Sequence, residues 1–110
     1  MADIIHIPEN FIGLEDREKL DSFGGHSIAR GRATRWHWDH NEQGDDVFEL
    51  YRGGADEQLT ARVTRSRNED AFYAHDEHGK LISNGELEHL LAELDRYLMK
   101  LHGENPDTPA

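Results

Sequence analysis

Histidine is the chemically versatile residue this chain uses most, with eight copies in 110 residues and no cysteine. Two pairs share a His-x-x-His spacing, His37/His40 and His75/His78, and each pair has an acidic residue between its members. Imidazole and carboxylate together are the donors that bind zinc and related divalent ions. His37 and Glu49 would also make an acid–base dyad if they faced each other. Geometry weighs against a site shared between the pairs. Residues three apart on a strand point to opposite faces. If His37 and His75 lie three strands apart, at about 4.8 Å per strand, they are separated by roughly 14 Å. His89 and Glu93 stand one turn apart on a helix and supply half a site. The histidines are therefore read as solvated, with no metal ligands and no cofactor assigned. A dyad on an open sheet face would be poorly desolvated, so no catalytic residue is assigned.

Other chemistries lack their residues. The absence of cysteine removes thiolate metal sites, disulfides and a cysteine nucleophile. The four serines, Ser22, Ser27, Ser66 and Ser83, sit in no nucleophile elbow. Gly24-Gly25 and Gly53-Gly54 lack the pattern of a phosphate-binding loop. Asp45-Asp46 and Asp76-Glu77 fall in predicted turns, where solvation accounts for them.

The elements that position these residues read as follows. Ser83 and Glu86 have the spacing of a capping box, and Leu87, Leu90, Leu91, Leu94, Leu98 and Leu101 follow as one apolar stripe. Gly103 stands where a left-handed stop belongs, which predicts a helix over 84–102 and a loose tail over 103–110. The 4-3-4-3 spacing of the leucines also suits a dimer seam, but two heptads are short for a coiled coil, and core packing is the preferred reading.

Between 33 and 76 the chain alternates apolar and polar residues in four runs, 34–40, 47–52, 58–66 and 71–76, separated by turn residues at 42–45, 53–56 and 67–69. Lys80-Leu81-Ile82 follows a further turn. Short alternating runs of this kind predict antiparallel hairpins. Apolar matching pairs Trp36 with Leu50 and Trp38 with Phe48. It then pairs Leu50 with Leu59, Phe48 with Ala61, Ala61 with Ala74 and Val63 with Phe72. On the other face one row reads His37, Glu49, Thr60, His75 and the next Asp39, Val47, Arg62, Tyr73. Arg35 stands beside Tyr51. Gly31 marks a bulge or strand start. In the N-terminal segment, 1–25, Ile4, Ile5 and Ile7 suggest a short extended piece. Glu15 to Asp21 suggests two helical turns that end at Phe23-Gly24-Gly25.

The expected fold is thus one α+β domain over 1–110: a four-stranded antiparallel β-meander packed on one face by a C-terminal α-helix, with a short N-terminal extended and helical segment as cover. In this arrangement both tryptophans and the leucine stripe are buried together. The opposite face carries Arg35, His37, Tyr51, Arg62, Tyr73 and His75.

The function classes narrow with charge. The formal charge is -11, mean hydropathy is -0.86 and the sequence pI is about 5.0. Seven of the twelve bases lie in 26–67, balanced there by seven acids. An acidic average opposes general binding to a phosphate backbone. No apolar run approaches the roughly 20 residues of a membrane span, and the start lacks the pattern of a secretory signal. These features lead us to expect a cytoplasmic protein. The preferred function is a small, acidic, non-catalytic protein-binding module, such as an adaptor, inhibitor or regulatory subunit. Its six anchors are Arg35, His37, Tyr51, Arg62, Tyr73 and His75, since Tyr and Arg are favoured at interfaces. Its partner is another protein, a second copy of this chain included. Two rival readings make different demands. A His-rich metal protein or small enzyme needs His37, Glu49 and His75 in one pocket, and a single-stranded nucleic-acid binder needs unpaired bases on the face.

Overall fold

The computed structural model describes residues 12–40, 46–65 and 71–103. The expected extended piece at Ile4 to Ile7, the turns at 42–45 and 67–69 and the tail beyond residue 103 lie outside them. Two helices and five strands follow one another as α1 (Leu14–Ala29), β1 (Arg35–His40), β2 (Asp46–Arg52), β3 (Gln58–Arg65), β4 (Phe72–Asp76), β5 (Leu81–Gly85) and α2 (Leu87–Leu101). The strands form one antiparallel sheet in the order β1-β2-β3-β4-β5. The architecture is α+β, as expected. The sheet has five strands where four were predicted, and the N-terminal segment contains a full helix.

The fifth strand is the run that begins with Leu81. Asp76 makes the turn that brings it back: its Oδ1 accepts the N–H of His78 at 2.9 Å and of Lys80 at 2.8 Å, and Gly79 takes φ +78°. Those two N–H groups, Lys80 foremost, hold the Asp76 carboxyl below its ordinary range. Ser83 therefore lies in β5 opposite Ala74, and the predicted capping box does not form. The N-cap of α2 is Glu86, whose side chain makes no capping bond. Gly103, at φ +74°, ends α2 as expected.

Helix α1 runs through Gly24-Gly25, where an end was expected. Glycine disfavours a helix by about 1 kcal/mol per residue. Packing compensates at Gly24, where the missing side chain lets the helix lie against the indole of Trp36. Gly31, at φ +73°, follows the C-cap of α1 and is a helix stop, with β1 starting at Arg35.

The two helices share the apolar face. Leu20 of α1, with Leu87, Leu90, Leu94 and Leu98 of α2, joins Phe48, Leu50, Val63, Phe72 and Ala74 in one buried cluster. Helix α2 lies over β4 and β5, and α1 lies against β1. The leucine stripe thus packs into the core, although Leu101 is exposed. The tryptophans are half-buried under α1, a correction to the expected burial beneath α2. Trp36 and Trp38 both donate their indole N–H to Asp21 Oδ1, at 3.1 and 2.8 Å, and the Arg17 guanidinium sits 4.2 Å from the Trp38 ring centroid.

Register matches the first hairpin as predicted, Trp36 with Leu50 and Trp38 with Phe48. The next two hairpins are shifted. Phe48 pairs with Val63, Leu50 with Ala61, and Val63 with Ala74. A shift of two residues keeps every side chain on its face, so apolar matching alone cannot detect it. An irregularity between Leu50 and Tyr51 leaves Thr60 as the extra residue of β3, and Tyr51 pairs with Leu59.

Two charged residues off the polar face are buried, Asp46 among them although its predicted turn placed it in solvent. Arg32 is 3% exposed and its Nη1 bonds Asp95 Oδ1 of α2 at 2.7 Å, while its carbonyl oxygen is 2.9 Å from His102 Nε2. Asp46 accepts the Ile12 N–H at 3.2 Å and pairs with Arg17 and His40, at 3.3 and 3.1 Å. Among the described residues no helix is long and apolar enough to cross a membrane.

Candidate functional site

Strand alternation places Arg35, His37 and Asp39 of β1 on the face of the sheet opposite both helices. Glu49 and Tyr51 of β2, Arg62 of β3, and Tyr73 and His75 of β4 share that face. All six predicted anchors therefore stand on one surface. The rows differ from the expected ones. The central row reads His37, Glu49, Arg62, His75, with Arg62 in the place predicted for Thr60. The neighbouring row reads Asp39, Val47, Thr64, Tyr73.

Arg35 is held from two sides. Its Nε and Nη2 donate to the two carboxylate oxygens of Glu57 at 3.0 and 2.6 Å, a fork that fixes the guanidinium plane. The same guanidinium lies 4.4 Å from the Tyr51 ring centroid. Its hydrogen bonds keep the Glu57 carboxyl below its usual range.

Glu49 is the main surprise of this face. Its side chain is only 5% exposed, whereas an open sheet face predicted a hydrated carboxylate. Arg62 Nε donates to Glu49 Oε2 at 2.8 Å and the Tyr51 hydroxyl donates to Oε1 at 3.2 Å. Burial, and then the adjacent Glu49 charge, pushes the Tyr51 phenol up. Tyr51 therefore stays protonated and donates. Arg62 satisfies a buried charge as well as presenting an exposed edge, so its role is partly structural.

Tyr73 and His75 lie side by side, with ring centroids 6.4 Å apart and planes 18° from parallel. Both are half-buried, and at the far edge His37 is exposed. The opposing donors of His37, Asp39 and Glu49 converge at the β1–β2 end, all within 4.8 Å of one another. His75 belongs to a different part of the row, so the pocket of His37, Glu49 and His75 that the rival metal or enzyme reading needs is not assembled. Sequence reasoning set Glu49 beside His37 and placed Asp39 on the same face, but did not join Asp39 to that pair. The signal was available, since positions i and i+2 of one strand share a face with the residue opposite.

A separate cleft of about 720 Å³ opens between the helices, lined by Phe23 and Leu91 with Lys19, His26 and Glu88 around it. It contains none of the sequence-predicted site residues.

Comparison with protein-family models, with curated proteins and with solved structures yields no significant match to this chain.

Proposed function

We propose that this protein is a non-catalytic binding module that docks a folded protein partner on the polar face of its sheet. The observation that carries this reading is the shared, pre-ordered placement of Arg35, Tyr51, Arg62, Tyr73 and His75 on one surface, with both helices packed on the other. Long side chains lose conformational freedom when an interface forms, by about 0.5–1.5 kcal/mol each. Here the stack of Arg35 on Tyr51, the Glu57 fork and the Glu49–Arg62 pair restrict those side chains before any partner arrives. Tyrosine and arginine then offer broad contact area with a polar edge, the composition favoured at interface centres.

The same pairs count against a nucleic-acid partner. Arg35 is neutralised by Glu57 and Arg62 by Glu49, and Asp39 adds a negative charge to the face. A phosphate backbone would meet little unbalanced positive charge here. Mixed and alternating charge suits a partner protein whose surface carries both signs.

A photo-crosslinking residue at position 73 tests the reading, with position 92 on the exposed side of α2 as control. In source cells, position 73 should give a discrete protein adduct that position 92 does not, and Arg35→Ala should diminish it. The same adducts from both positions, or none from position 73, would remove the proposal.

A further inference from the structure

We propose that His37, Asp39 and Glu49 form a zinc site at the β1–β2 end of the polar face. Two strands supply the set. His37 and Asp39 are two positions apart on β1 and so project from the same side, and Glu49 stands directly opposite His37 on β2. One imidazole nitrogen and one oxygen from each carboxylate lie within 4.8 Å of one another. A tetrahedral zinc with bonds of about 2.0–2.1 Å needs its donors about 3.4 Å apart. Each pair therefore has to approach by no more than about 1.4 Å, which rotation of the two exposed side chains, His37 and Asp39, can supply.

The third ligand is already fixed. Glu49 is buried and held by Arg62 on one oxygen and Tyr51 on the other, the kind of support that orients metal-ligating carboxylates. Each carboxylate oxygen keeps a further lone pair beside those bonds. The donor types favour zinc over the alkaline-earth ions. An imidazole with two carboxylates suits zinc, while magnesium and calcium favour all-oxygen shells. Two carboxylates balance the charge of a divalent ion, and Arg62 leaves a single positive charge in excess. The excess charge and the solvent-facing edge make the site weaker than a buried, charge-balanced one. Three protein ligands leave a fourth position for water.

Titration calorimetry of the full chain with zinc chloride tests the site. The wild type should take up one equivalent in a saturable step. His37→Ala and Asp39→Asn should each weaken that step at least about tenfold, the lower end of what loss of a supporting group costs a metal site. His75→Ala should leave it unchanged. Zinc should also raise the melting temperature of the wild type and of His75→Ala, and leave His37→Gln and Asp39→Asn where they were. An absence of saturable binding, wild-type binding by the His37 variants, or an equal loss in His75→Ala would overturn the proposal.

Discussion

Gly24 and Trp36 are in van der Waals contact that leaves no room for a side chain: a Cβ on Gly24 would stand 2.8 Å from Trp36 Cδ2 and 2.9 Å from its Cγ. The indole fills the space a residue would otherwise occupy, and its N–H reaches Asp21 one turn earlier in the same helix. Through this contact α1 covers the β1 edge of the core.

Gly24→Ala should therefore destabilise the protein. Overpacking costs about 1–3 kcal/mol, and the better helix propensity of alanine returns about 1 kcal/mol. We expect a net loss of up to about 2 kcal/mol by urea denaturation. Gly25 meets nothing within 4 Å of an added Cβ, so Gly25→Ala should gain about 0.5–1 kcal/mol from propensity alone. Opposite signs at adjacent glycines would confirm the packing role of Gly24.

Arg62 and Tyr73 should separate in the same assay. Arg62→Ala leaves the buried Glu49 carboxylate with the Tyr51 hydroxyl but without its cation. Arg62 is itself 53% exposed, which discounts the cost of a fully buried pair to about 1–2 kcal/mol. Tyr73→Ala removes only a half-buried ring, and its cost should be smaller, about 0.5–1 kcal/mol. Variants of Tyr73 are therefore the cleaner probes of binding.

Glu86 begins α2 with φ -62° and ψ 146° and makes no side-chain cap. Glu86→Asp shortens the side chain to the length that reaches the N–H groups of the first turn and keeps the charge favourable to the helix dipole. A gain of about 0.5–1 kcal/mol in thermal or urea unfolding is expected. No change would mean that the first turn of α2 is already satisfied.

Asp76 sets a pH dependence. Its carboxyl is held below the ordinary value of about 3.8 by the N–H groups of Lys80 and His78. A depressed carboxyl stabilises the fold above its unfolded pKa, and that contribution is lost as pH falls through the folded pKa. Asp76→Asn should melt below the wild type at neutral pH, and the gap should narrow as the pH falls below the ordinary carboxylate range and the aspartate takes up its proton. A gap that persists unchanged in acid would show that geometry, rather than charge, is what the turn requires.

How much of this was legible in the sequence follows from what each signal measures. The alternation around Trp36, Phe48, Val63 and Ala74 fixes which face each side chain takes, and those faces match. Alternation repeats every two residues, so it could not detect the two-residue shift that brings Arg62 beside Glu49. Gly24-Gly25 read as a helix end because propensity is local, while the contact with Trp36 comes from a residue twelve positions away. Ser83-x-x-Glu86 read as a cap because its spacing ahead of the leucine stripe is a local signal, whereas the pairing with β4 that places Ser83 in a strand comes from residues about ten positions earlier. The burial of Glu49 depends on neighbours across two strands, and no pattern in its own strand announces it.

The docking face can be measured without knowing the partner. Hydroxyl-radical footprinting, read residue by residue by mass spectrometry, compares the purified protein with the protein in source-cell extract. Tyr73 and Tyr51 on the β-sheet surface should become protected in the extract, while Tyr97 on α2 reacts equally in both. Equal reactivity of all three tyrosines in both samples, or protection confined to Tyr97, would contradict the account.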